Sequence, residues 1–299
     1  MNKKHLFLIV VVLLSLTLVF GVTNSSYSLM LNPIPNEAPY QVTPNGTETV
    51  FFNPFAIKEI RFALNDLINR QYICDEVVTN SQVDFTFKEL DHPMGFLYYD
   101  LALSLGLSEA GNEQKALNVI EAAMQAASDL EENKGKLLKV DGQWQFNGAA
   151  VIIQFTIRND DSNRQRIGDY IASQLEKAGF SVEKDYKNMA DAVGEVYYTD
   201  PEDFKWQMLT EGWTCVINPA YSTANLAMAY APWYERMPGG FVEDSWDYEN
   251  PELDRLTQAL TKDYTFSQDE KVNLILSAVE LGLKEAVRIY ICAYTHQEN

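Results

Sequence analysis

Eight aromatic residues crowd one stretch of the chain: Trp213, Tyr221, Tyr230, Trp233, Tyr234, Phe241, Trp246 and Tyr248, interleaved with Pro232, Pro238, Gly239 and Gly240. Loops this rich in Trp and Tyr offer flat walls with a polar edge, suited to a sugar ring or a peptide side chain. Burial is the commoner use of such residues, so about half of them are expected in a core. Groups for bond-making chemistry are scarce. Of three histidines, His5 and His296 sit near the two ends and His92 precedes a proline. That excludes a histidine metal cluster and leaves a Ser-His-Asp triad with His92 alone and no GxSxG elbow. There is no P-loop and no GxGxxG, so phosphate cradling has no support. Carboxylate pairs, all that a glycosidase needs, abound in a chain of net charge −19 and are read as solvated faces. Asp160-Asp161-Ser162-Asn163 lacks the spacing and distal Glu of a calcium loop. It reads instead as a strand-to-helix turn with an Asp or Asn cap. A non-enzymatic binding protein without a cofactor is the reading these residues favour.

The elements that must position this aromatic segment follow from periodicity. Ile57, Ile60, Ala63, Leu64, Leu67 and Ile68 recur at helical spacing after Asn53-Pro54, and Asn112 to Leu130 forms a second strong helix. Asp141-Gly142 is a hairpin turn between Lys136–Val140 and Gln143–Phe146. Ala149 to Ile157 is a buried strand, followed by a helix from about Arg164 to Ala178 and a strand from Phe180 to Lys184. That order is a βαβ unit whose helix crosses a sheet. A charged helix is expected around Pro201 to Leu209, and Asn250-Pro251-Glu252 is a helix start with Asn as cap and Pro at the first position. Two more helices follow, and Val287 to Ala293 closes as an apolar strand.

The chain begins with Lys3, Lys4 and His5 and an apolar run from Leu6 to Phe20. Residues 1–22 are therefore read as a signal peptide or N-terminal anchor. The rest is expected outside the cytoplasm, where its acidity repels nucleic acid and anionic headgroups. Cys74, Cys215 and Cys292 show no CxxC spacing and allow one disulfide at most. Asn24 and Asn45 head the two N-x-S/T sequons and are candidate glycosylation sites. Four prolines between Asn24 and Asn53 suggest that residues 23–53 are an extracellular linker holding one extended piece, with residues 54–299 as the folded body.

Four segments in order resemble the extracellular solute-binding proteins of ABC transporters, in the family 5 group that captures peptides, nickel and oligosaccharides. Ile57-Lys58-Glu59-Ile60-Arg61-Phe62-Ala63-Leu64-Asn65 to Arg70 resembles a helix of that family, and Gln174-Leu175-Glu176-Lys177-Ala178-Gly179-Phe180-Ser181-Val182 a helix and strand. Glu211-Gly212-Trp213 resembles its Gly-Trp at a strand end facing the ligand, and Tyr248-Glu249-Asn250-Pro251-Glu252-Leu253-Asp254 its Asn-Pro-Glu helix start. Tyr230 to Gly240 looks most like archaeal members. Ser25 to Asn36 is similar to a strand that crosses between the two lobes of such receptors.

The resemblance implies an α/β fold. Its form would be a type II periplasmic-binding-protein-like lobe, with a mixed sheet flanked by helices and incomplete against the two-lobed family. It also implies a ligand face of Trp213, Asn218, Tyr221, Tyr230, Trp233 and Tyr234, a sugar or peptide solute, and a membrane permease as partner. A second chain would supply the missing lobe. Peptide-binding members place an Asp shortly after Gly-Trp to hold an ammonium group, whereas Asn218 stands here. An amide cannot pair with an ammonium as a carboxylate does, which tilts the reading towards a neutral ligand such as an oligosaccharide.

Overall fold

Successive residues of a strand face opposite sides of its sheet, and along Leu29–Leu31 both sides are apolar. Leu29 and Leu31 enter one core while Met30 enters the other. This strand, β1 (Thr23–Leu31), lies in the middle of the fold. The computed structural model describes residues 23–86, 95–216, 222–262 and 265–296. Seven strands make one sheet: β1, β2 (Gln82–Val83), β3 (Ile152–Arg158), β4 (Ser181–Lys187), β5 (Met208–Glu211), β6 (Thr214–Val216) and β7 (Arg288–His296). Their order is β2-β7-β1-β5-β3-β4, with β6 also paired to β1. The sheet is mixed: β1 runs antiparallel to β5, β6 and β7, while β3 is parallel to both β5 and β4.

Helices cover both faces. On one side α1 (Lys58–Leu67) and α3 (Glu113–Ser128) pack through Ile60, Leu64, Ile120 and Met124. They share that core with α4 (Ser162–Lys177) and with Ile153, Phe155 and Ile157 of β3. On the other side lie α2 (Gly95–Ser104), α5 (Met189–Tyr197), α6 (Ser222–Tyr230), α7 (Pro251–Lys262) and α8 (Gln268–Glu285). Their core holds Ala192, Val196, Leu226, Leu256, Val279 and Trp206. The architecture is thus an α/β lobe with a mixed sheet flanked by helices.

The βαβ unit forms as its periodicity predicts, with α4 crossing from β3 to the parallel β4. Asp161 caps α4, its carboxylate accepting from the backbone N–H of Asn163 (2.9 Å) and Arg164 (3.3 Å). The Asp141-Gly142 turn joins strands Leu137–Val140 and Gln143–Phe146, both turn residues holding positive φ (50° and 86°) as a tight hairpin demands.

Three expectations change. Residues 23–53 are no linker: β1 is hydrogen-bonded on both sides, and the proline-rich connection after it is clamped to the body by Asn53. That fully buried amide donates to the carbonyls of Asn32 (2.9 Å) and Ile34 (2.6 Å) and accepts from Phe55 N–H (3.1 Å) and Gln207 Nε2 (3.2 Å). The sequon at Asn24 consequently falls inside a sheet strand, in register with Cys215 and Thr295. Pro201 to Leu209 holds only a short 3-10 turn, Pro201–Asp203, and then β5, because pairing with β1 and β3 overrides local propensity. Among the described residues one helix, α8, separates α7 from the last strand rather than two. Residues 1–22 lie outside the described residues, and no helix among those described is long and apolar enough to cross a membrane.

Candidate ligand cleft

In open α/β sheets ligands bind beyond the carboxyl ends of parallel strands. At the ends of β3 and β5 a cleft of 340 Å³ opens between the first turn of α4 and the flank of α5. Arg158, the last residue of β3, lines it, as do Glu211, Gly212 and Trp213 at the end of β5, Arg164 of α4, and Met189, Val193 and Tyr197 of α5. The two strand ends are laced together by Arg158 N–H donating to Thr210 Oγ1 (2.8 Å).

Gly212 is obligatory. A Cβ there would lie 2.3 Å from the Ser26 carbonyl oxygen and 2.7 Å from Arg164 Nη2. The bare backbone lets the chain pass β1 and turn Trp213 into the wall, its carbonyl accepting from Ser26 N–H (2.9 Å). The Trp213 indole is half-buried, and the guanidinium groups of Arg236 and Arg288 lie over its ring at 5.6 and 6.0 Å. Its Nε1 is sealed from solvent with no partner among the described residues.

Beneath the cleft is a buried polar knot. Glu211 accepts from Arg288 Nε (2.7 Å) and Nη2 (3.2 Å), from Ser28 Oγ (3.2 Å) and from the Tyr197 hydroxyl. Arg288 spends its remaining donors on the carbonyls of Met228, Ala229 and Arg236. Burial and the adjoining Glu211 carboxylate push the Tyr197 phenol well up, so it remains a donor. Burial pulls the Arg288 guanidinium down, but the Glu211 carboxylate outweighs it and holds the group above its ordinary value.

The two arginines on the wall each carry an acid. Arg158 makes a two-pronged bond to Asp160 (3.0 and 2.6 Å), which holds that carboxyl below the usual range. Arg164 stands 3.8 Å from Asp161 and lies over the Tyr27 ring at 5.5 Å. Burial, and Arg158 nearby, pull its guanidinium down. The wall is therefore dipolar, with donors and acceptors side by side. Sequence reasoning did not pick out Arg158 and Arg164. The available signal was a cation in the first turn of α4, where the helix dipole favours anions.

Of the six residues expected on the ligand face, Trp213 lines this cleft. Asn218 and Tyr221 lie outside the described residues. Tyr230 is corrected to the core: it is 1% exposed, edge-on to Tyr290 at 6.1 Å and flat against Gly282 of α8. Trp233 and Tyr234 sit in a 3-10 turn on α7, where Trp233 N–H donates to Asp254 (3.0 Å) and its Nε1 to Thr257 (2.7 Å). The polar edge of Trp233 is thus already occupied, and neither residue lines this cleft. Asn45 is on the surface, donating to Asp200 (3.1 Å) and Asp203 (3.3 Å).

A mixed sheet flanked by helices, with a cleft at its carboxyl edge, is the architecture of a periplasmic-binding-protein-like lobe. No family model and no curated protein matches the sequence. Solved structures share the fold. The oligopeptide-binding protein of an ABC transporter from Thermotoga maritima, bound to mannohexaose, is 14% identical (TM-score 0.62), covering 92% of this chain and 46% of its own. NikZ from Campylobacter jejuni, in complex with Ni(L-His), is 12% identical (TM-score 0.61; 91% and 45%). AppA from Bacillus subtilis, holding a nonapeptide, is 13% identical (TM-score 0.58; 92% and 45%). The chain spans somewhat under half the length of these neighbours, which are solute-binding proteins rather than enzymes. All three are bacterial, so the resemblance of residues 230–240 to archaeal members gains no support from them.

Proposed function

We propose that the protein is an extracellular solute-binding component of an ABC importer, capturing an oligosaccharide or oligopeptide for a membrane permease. The observation that carries this reading is the cleft at the carboxyl ends of β3 and β5, walled by Trp213, in a lobe shared with solute-binding proteins. Capture proceeds by stacking on Trp213 and hydrogen bonding to Arg158 and Arg164. Because Asp160 and Asp161 balance those guanidiniums, the wall suits the hydroxyls of a neutral sugar better than a free charge. In this reading residues 1–22 direct the chain out of the cytoplasm or hold it at the membrane. In this reading an opposing wall closes over the cleft, since closure supplies much of the affinity of a two-lobed receptor by desolvating both sides.

The test is a thermal-shift screen of the chain from Thr23 onward against oligosaccharides and short peptides, with Trp213→Ala alongside. One ligand class should raise the midpoint, by about 2.7 kcal/mol of added stability at a hundred times its dissociation constant. Trp213→Ala should abolish the rise. A cooperative melt that no solute moves would favour the second reading, a repurposed cell-surface paralogue without transport.

A further inference from the structure

Two of the three cysteines, 218 positions apart in sequence, meet in the core on the α1 side of the sheet. Cys74 belongs to one turn of π-helix, Ile73–Val77, closed by Val78 N–H to the Ile73 carbonyl (2.8 Å). Cys292 is in β7, opposite Tyr27 of β1 and Val83 of β2. The π-turn packs directly on β7, and this brings the two thiols within electrostatic reach of each other and of Ser81. Both cysteines are free thiols here. Cys74 is 8% exposed and Cys292 fully buried, so an oxidant arriving from solvent meets Cys74 first.

We propose that Cys74 and Cys292 are a disulfide-forming pair that staples the last strand of the sheet to the π-helical turn. The oxidant is a small-molecule or protein disulfide. The Cys74 thiolate attacks one of its sulfurs and releases the first thiol; Cys292, giving up its proton, then attacks Cys74 and releases the second. Two protein thiols become one disulfide and the oxidant becomes two thiols, so atoms and electrons balance. The interaction with Cys292 pulls the Cys74 thiol below its ordinary value, and the same interaction together with burial pushes Cys292 up. That division suits first attack by Cys74, and the proximity of Cys292 suits it to resolve the mixed disulfide. The staple acts on the strand that carries Arg288 and so braces the polar knot under the cleft. Export to an oxidising compartment is where the pair would meet its oxidant in the cell, but the chemistry itself does not depend on export.

The experiment uses the chain purified with its thiols reduced, then exposed to 2-hydroxyethyl disulfide, a neutral oxidant chosen because Asp75 and Glu76 flank Cys74. After denaturation, iodoacetamide alkylation and peptide mapping should find the Cys74 and Cys292 peptides joined and Cys215 alkylated. The oxidised chain should melt about 4–8 °C above the reduced one. Cys215→Ser should keep that rise and Cys74→Ala should lose it. The proposal is overturned if Cys74 and Cys292 both remain alkylated, if the link runs to Cys215, or if the joined chain melts no higher. Solute binding is scored separately, so either idea can fail while the other stands.

Discussion

Replacing Arg288 with Met should destabilise the protein by about 3–5 kcal/mol, the cost of leaving a buried charge without its partner. The side chains of Arg288 and Glu211 are 0% and 5% exposed, and five donor contacts of the guanidinium are satisfied inside the protein. Arg288→Met strands the Glu211 carboxylate with only the Ser28 and Tyr197 hydroxyls, and leaves the carbonyls of Met228, Ala229 and Arg236 without this donor. At about 2.1 cal/mol/K per residue a body of this size melts with an entropy of about 0.5 kcal/mol/K, so the midpoint should fall by about 6–10 °C. Adding Glu211→Gln should recover about 2 kcal/mol of that loss, because a neutral amide still bonds both hydroxyls and no longer needs a counter-charge. Calorimetry on the parent, both single variants and the double closes the cycle. A midpoint within about 2 °C of the parent for Arg288→Met, or a double variant no more stable than Arg288→Met, would refute the assignment of the knot as a coupled ion pair.

Gly282→Ala would ordinarily gain helix propensity of about 1 kcal/mol, but a Cβ there lies 2.4 Å from Tyr230 Cδ1 and 2.5 Å from its Cγ. The ring is held edge-on by Tyr290, so overpacking of about 1–3 kcal/mol should win and lower the denaturant midpoint; a variant as stable as the parent would contradict the packing of α6 on α8. Arg158 lowers the Asp160 carboxyl in the folded state, so between the ordinary value near ~3.9 and that lower one the unfolded chain binds more protons. The stabilisation is complete above the ordinary value and is lost as pH falls through the folded one. Asp160→Asn should therefore lose less stability than the parent from about pH 5 to about pH 3, and equal slopes in melts across that range would remove Asp160 from the acid response.

Much of the body was legible in the sequence, and unevenly so. The helix of Ile60 and Leu64, the helix of Ile120 and Met124, the Asp141-Gly142 hairpin and the unit from β3 through α4 to β4 all form where their periods place them. Prolines misled in the connection after β1, because what holds it is Asn53, a single amide whose partners come from Asn32, Ile34, Phe55 and Gln207. For the cleft, Gly212-Trp213 was readable from resemblance, while Arg158, Arg164 and Glu211 were not selected. Their importance depends on β3, β5 and β1 lying side by side.

The difference has one physical cause. Hydrophobic period, turn residues and caps act over a few neighbouring residues and report which face of an element is buried, so the α/β character of the lobe was fixed by the chain itself. They carry no information on which distant element does the burying. That Tyr230 spends its ring on Gly282, that Trp233 caps its own polar edge on Thr257, and that Cys74 meets Cys292 are outcomes of long-range packing. Only the folded sheet order brings such residues within contact distance, and the same order places Trp213 at the mouth of the cleft.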